Sequence, residues 1–191
     1  MNNIFKSILC KICRIRFSRK TPWQQVCSPE CAIKLVNREN DKKVRKYIKV
    51  KREKLKTASD YNREAQTVFN AYIRLRDKEL PCISCGRHHE GQYHAGHYRS
   101  RGSASHLRFN EDNVHKQCAP CNIYLSGNAI NYRLGLIKKI GLARVEILER
   151  DNVLRKYTTE GLVELKKQYQ LMIKALKIIN KCLKIFGIFK V

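Results

Sequence analysis

The apolar positions of this chain recur at helical spacing in three stretches and lose that spacing in two others. From Ser59 on, Ala65, Val68, Phe69, Tyr72, Ile73 and Leu80 fall at i, i+3 and i+4 steps until Pro81 stops the run. This predicts a helix with a buried face, capped by Ser59 or Asp60. Residues 131 to 150 predict a second helix, interrupted near Gly141. Leu162, Leu165, Tyr169, Met172, Ile173, Leu176 and Ile179 predict a last long helix, capped by Thr158 or Thr159, with Glu160 set against its N-terminal dipole. That stripe is expected to serve the core rather than a dimer interface. The tail LKIFGIFKV is apolar enough to pack or to meet a partner.

Residues 38 to 57, RENDKKVRKYIKVKREKLKT, favour helix by residue type but carry only Val44, Ile48 and Leu55 as an apolar stripe. A helix polar nearly all round is solvent-bridging or forms on a partner. The stretch is either a solvated linker or a basic arm that lies along phosphates. Residues 82 to 122 lack a helical period altogether, and NIYLSGN after Cys121 reads as one helical turn broken at Gly127-Asn128.

Charge narrows the partner. Forty Lys plus Arg against sixteen Asp plus Glu give a formal +24 over 191 residues, with pI near 9.9. Such a surplus repels itself unless a polyanion is near, so nucleic acid is the first candidate and an anionic membrane the second. The length suits one ordinary domain, or one domain with a small appendage. With no apolar run of about 18 residues, no segment is expected to span a bilayer. The start MNNIFKSILC is too short and too soon interrupted by Lys11 and Arg14 for a secretory signal.

Nine cysteines then change the picture. Eight fall into pairs, Cys10/Cys13 with Cys27/Cys31 and Cys82/Cys85 with Cys118/Cys121; Cys182 is left over and expected to be a buried thiol. Paired spacing in a lysine-rich chain favours metal binding in a reducing cytoplasm over disulfides. The first set spans too few residues to fold on apolar burial, so zinc would hold it, as in small treble-clef modules. The second set ties two distant segments to one tetrahedral zinc, and all six histidines lie between its two halves.

Three chemistries compete for that central stretch. A two-cysteine, two-histidine finger using Cys82, Cys85, His94 and His97 has the wrong gaps and strands Cys118 and Cys121. A zinc deaminase needs His-x-Glu and Pro-Cys-x-x-Cys, and His94-Ala95-Gly96 lacks the glutamate. The third is a ββα-metal, or HNH-type, nuclease, for which the chain supplies His97, Asn113 and Asn122. Phosphodiester hydrolysis needs a deprotonated water, a task for neutral imidazole, and a hard cation such as Mg²⁺ on the phosphate oxygens.

HAGHYRS, LRFNEDNVHKQCAPCN and SGN, with CISCG upstream and CSPEC near the start, resemble the phage NinG (Rap) recombination proteins from about residue 8 to 175. The order of knuckle, H-x-x-H and knuckle-Asn is also similar to phage endonuclease VII. The resemblance implies a phage or prophage protein of a bacterial host that cuts branched recombination intermediates such as Holliday junctions and D-loops. It implies His97 as general base and Asn122 as ligand of a catalytic Mg²⁺ or Mn²⁺. Position 94, usually Asp in the family, is His94 here, a softer and uncharged ligand that shifts preference toward Mn²⁺ or a transition metal. Leu125 stands where the family carries Lys. Asn113 matches the motif asparagine that fixes the hairpin loop, and His115 is a candidate second imidazole at the phosphate. His88 and His89 read as exposed. His106 reads as a loop residue or, with Arg99, Arg101 and Arg108, as facing DNA; these arginines and Lys116 are phosphate contacts or solvated charge.

The expected architecture is therefore α+β and α-rich. A four-cysteine zinc knuckle occupies residues 1–37 and a basic arm 38–58. An HNH-like core with its own zinc occupies 59–150, and a C-terminal helix 151–191. Branched DNA, a homodimer and recombination proteins are the expected partners. A generic duplex-nicking HNH enzyme and a silent DNA-binding zinc protein are the alternative functions.

Overall fold

The computed structural model describes residues 7–185, and the last six residues of the apolar tail lie outside that range. The chain forms two compact units that meet in sequence at Lys56 and Thr57. In the first, β1 (Ser7–Leu9) pairs antiparallel with β2 (Arg16–Ser18), with Ile8 opposite Phe17. The turn between them carries Cys10 and Cys13. Ser28 then caps α1 (Pro29–Lys54), its hydroxyl accepting from the Cys31 amide, with Pro29 in the first turn where a missing N–H costs nothing. Among the described residues of this unit, Cys10, Val26 and Cys31 are buried. The sequence suggested a boundary near residue 38, but α1 runs unbroken through it for 26 residues and buries only Cys31.

The second unit opens at Thr57 rather than at Ser59 or Asp60. Thr57 Oγ1 accepts from the Asp60 amide and the Asp60 carboxylate accepts from the Thr57 amide. This reciprocal pair satisfies two orphan donors of α2 (Ala58–Arg76). The helix ends at Asp77, so Leu80 lies beyond it and is exposed. α2 packs along α5 (Thr159–Ile185), where Phe69, Tyr72 and Tyr169 meet edge to face or tilted, with ring centres 4.9 Å apart for both Tyr169 pairs. Thr158 caps α5 by accepting from Gly161 N. The stripe from Leu162 to Leu176 is core, as its spacing suggested, but Ile179 is exposed. Cys182 is exposed too, which overturns the expectation of a buried thiol.

Against α2 lies the hairpin of β3 (Tyr93–His97) and β4 (Val114–Cys118), with His94 opposite Gln117 and His97 opposite Val114. Val114, Ala95 and Phe109 pack onto α2. A wide helical turn, Pro120–Tyr124, follows β4 directly. α3 (Ala129–Ile140) and α4 (Leu142–Arg150) come next, parted at Gly141, whose φ of 85° favours glycine. Tyr132, Leu136, Val145 and Leu148 make a second core with Ala104 and Leu107. A Cβ at Gly135 would sit 1.9 Å from the Ile83 carbonyl oxygen, so a glycine is what lets α3 close on the cysteine turn. No helix among the described residues is long and apolar enough to cross a membrane.

Candidate functional site

Each four-cysteine set converges. In both, all four sulfurs lie within 4.8 Å of one another. The S···S separations are 3.5 Å for Cys13–Cys27, 3.8 Å for Cys27–Cys31 and 4.0 Å for Cys85–Cys118. Zinc with Zn–S bonds of about 2.3 Å places tetrahedral sulfurs about 3.8 Å apart, so both sets could hold a zinc ion. Thiol acidities split within each set. Burial pushes Cys118 up to about 12. Against its burial, hydrogen bonds headed by His89 bring Cys85 down to about 6. Four crowded thiols cannot all ionise without a cation to offset the repulsion.

The knuckle places the hairpin. Ile83 N donates to Lys116 O and Cys118 N to Cys82 Sγ, fixing β4 to the first cysteine turn. Cys121 lies in the first half of the wide turn, so the next residue, Asn122, is delivered beside β3. Its Nδ2 lies 2.9 Å from His94 Nδ1, across 28 residues of chain. His97, at the end of β3, donates from Nε2 to the Arg108 carbonyl at 3.1 Å. This fixes the neutral tautomer and leaves the basic lone pair on Nδ1. Burial, reinforced by the charges of Arg101 and Arg108, pushes His97 down to about 4.

His94, His97 and Asn122 line one open groove of ≈ 550 Å³ together with Arg74 and Arg101, and no carboxylate among the described residues lines it. An imidazole nitrogen and an amide oxygen about 3 Å apart match two adjacent ligands of a cation with bonds of about 2.1 Å. Turning the Asn122 amide by half a rotation supplies that oxygen, since its O and N are interchangeable in outline. The two residues could therefore supply two ligands of a divalent cation, the imidazole being the softer of the pair.

Several expected site residues do not reach this groove. Asn113 is buried; its Oδ1 accepts from Arg99 N while its Nδ2 donates to the carbonyls of Arg99 and Leu107. It holds the loop between the strands, and every polar atom of its side chain is taken. His115 is no second imidazole at a phosphate. It is 2 % exposed and faces Arg76, Asp77 and Lys139, with its Nε2 near the Asp112 carbonyl. Arg99 is no phosphate contact either, since its guanidinium caps the carbonyls of Leu148, Glu149 and Asp151 at the end of α4. Lys116 is buried, donating to Lys78 O and lying 4.3 Å from the centre of the Tyr93 ring. His106 is buried rather than facing DNA and donates to Asp151 O. His88 is exposed as expected, whereas His89 is half-buried with Nε2 3.2 Å from Cys85 Sγ. Arg101 is exposed at the groove, and Arg108 is half-buried beside it.

Asn70 and Arg74 also line the groove and were not singled out by sequence. Their signal was a polar stripe at four-residue spacing on α2 (Asn62, Gln66, Asn70, Arg74), on a helix whose apolar face drew the reading.

Fold and site together define a helix-rich α+β protein with two four-cysteine clusters suited to zinc and a basic groove over a two-stranded hairpin. The family described as Bacteriophage Lambda NinG protein matches residues 2–178. Protein ninG of Salmonella phage P22 is 38% identical over 183 residues, covering 86% of this chain and 90% of its own. Protein ninG of Escherichia phage lambda is 37% identical over 183 residues with the same coverage. That of Escherichia phage 933W is 36% identical over 186 residues, covering 88% and 92%. No solved structure matches. The chain belongs to the NinG family.

Proposed function

We propose that this protein is a metal-dependent endonuclease that hydrolyses DNA at branch points of recombination intermediates, with an HNH-like hairpin and turn as its catalytic core. The observation that carries the reading is the convergence of His94, His97 and Asn122 in one basic, carboxylate-free groove. Two strands followed by a helical turn, with the base on the first strand and a ligand on the turn, are the elements that a ββα-metal site needs.

In this reading His94 and Asn122 would hold a divalent cation, which would supply positive charge at the scissile phosphate. His97 Nδ1 takes the proton from the attacking water, and the Arg108 carbonyl keeps the ring in the tautomer that can do so. Arg101 and Arg74 hold the phosphate backbone over the groove. Resolving a four-way junction takes two incisions, which favours a symmetric dimer on the branch. Sedimentation on junction DNA tests that part, and monomers alone would refute it.

The absence of carboxylates from the groove favours a second reading, a DNA-binding zinc protein without hydrolysis. A cleavage panel of linear, nicked and four-way DNA in Mg²⁺ and in Mn²⁺ separates the readings. Junction-selective cutting is expected. Equal cutting of linear duplex would leave a generic nuclease, and binding with no cutting in either metal would leave the silent one.

A further inference from the structure

A second cavity of ≈ 460 Å³ adjoins the groove and shares Asn70 and Arg101 with it. It lies along α2 beside the chain that leads into α5, and no carboxylate among the described residues lines it. Arg108 reaches into it, with Nη1 donating to Asn62 Oδ1 at 2.6 Å. Two polar atoms there are buried without a partner, Arg108 Nε and Gln66 Oε1, and Gln66 as a whole is 7 % exposed. A buried guanidinium N–H left unpaired costs free energy comparable to a lost hydrogen bond and calls for an acceptor. No Asp or Glu is there to be one. The charges of Arg101 and Arg108 press on each other instead, and burial followed by Arg101 lowers the Arg108 pKa.

We propose that this cavity is a second phosphate subsite, in which Arg108 grips a DNA backbone phosphate a short way along the strand from the one beside His97. A phosphate oxygen satisfies the orphan Nε and joins the charges of Arg101 and Arg108 through one anion. The Gln66–Asn70 amide pair, joined at 2.7 Å, turns over together to present an N–H rather than an oxygen to that phosphate. Tyr157 and Leu162 give the cavity an apolar wall suited to deoxyribose. The strand thus runs from the groove past Asn70 toward Asn62 along α2.

Arg108 also connects the two subsites. Its side chain lies in the second cavity while its backbone carbonyl orients His97. A phosphate that fixes the guanidinium also fixes the carbonyl that sets the tautomer of the base. Arg108 is in this sense a positioning residue, and the inference rests on the groove being where the strand is cut.

The test is a scan of single methylphosphonate linkages, each removing one backbone charge, in junction DNA bound by the full-length His97→Ala protein. One linkage away from the groove is expected to weaken binding about tenfold, and Arg108→Gln is expected to abolish sensitivity at that linkage alone. Arg108→Gln should also lower the magnitude of the log–log salt slope by about 1, while Arg108→Lys keeps most of it. Asn62→Asp sets a carboxylate against the guanidinium without disturbing the loop and should reproduce the loss. A normal urea midpoint for that variant confirms its folding. An unchanged slope and an unchanged scan in both variants would overturn the subsite. Because the readout is binding, a subsite can be found in a protein that never cuts, and cutting can be found in one without the subsite.

Discussion

The side chains of His94 and Asn122 meet at 2.9 Å although one lies on β3 and the other follows the last knuckle cysteine. In the proposed reading a cation sits at that pairing, and position 94 decides its chemistry. His94→Asp replaces a neutral nitrogen by a charged oxygen, so it should raise the Mg²⁺-supported rate relative to the Mn²⁺-supported one, about tenfold or more. Rates measured against each metal concentration check this, and an unchanged metal preference would remove His94 from the ligand set.

The burial of His97 sets a pH signature. Its folded pKa, about 4, lies below the ordinary 6.5, so the unfolded chain binds the proton first. Between about pH 6.5 and 4 the unfolded state gains protons that the folded state lacks, and stability contributed by the neutral ring is lost as pH falls through that window. Rates follow the same group. kcat/KM on junction DNA should hold down to about pH 5 rather than falling near 6.5, and a half-maximal point near 6.5 would contradict the assignment.

Arg99 and Arg101 are two residues apart and should behave differently. Arg101→Gln should weaken DNA binding and reduce the salt slope by about 1. Arg99→Gln should leave the slope unchanged and cost about 1–3 kcal/mol of stability, because it frees the carbonyls at the end of α4. Salt titrations of binding alongside urea melts separate the two.

Asp77 makes the strongest structural prediction. Its carboxylate is 2 % exposed and receives hydrogen bonds from Arg76, Lys139 and the Lys116 amide. Against its burial, these and His115 hold its pKa far below the carboxylate range. Asp77→Ala removes the buried acceptor shared by Arg76, Lys139 and the Lys116 amide and should cost about 3–5 kcal/mol in urea unfolding. A loss under 1 kcal/mol would mean the charges escape to solvent.

The two four-cysteine clusters were legible from spacing because ligand geometry leaves little freedom: CxxC turns and a capped helix start can converge in few ways. The helices were legible because Phe69, Tyr72, Leu162 and Tyr169 keep helical period. Long-range polar pairing was not. Asp77, Lys139 and His115 are far apart in sequence, and LRDKEL reads as a solvated helix end. Arg99 and Lys116 looked like surface charge in a basic chain, and only the fold turns one onto α4 and the other beneath Tyr93. The cap at Thr57 was missed because Ser59 and Asp60 offer capping chemistry nearer the apolar run.

The central claim is that His97 is the base of a DNA-cutting groove. The direct measurement is cleavage and binding of a synthetic four-way junction by wild type and His97→Ala, in Mn²⁺ and in Mg²⁺. Cleavage is expected to fall about 10²–10⁴-fold in the variant while binding is unchanged. Equal cleavage by both proteins, or none by wild type in either metal, would contradict it.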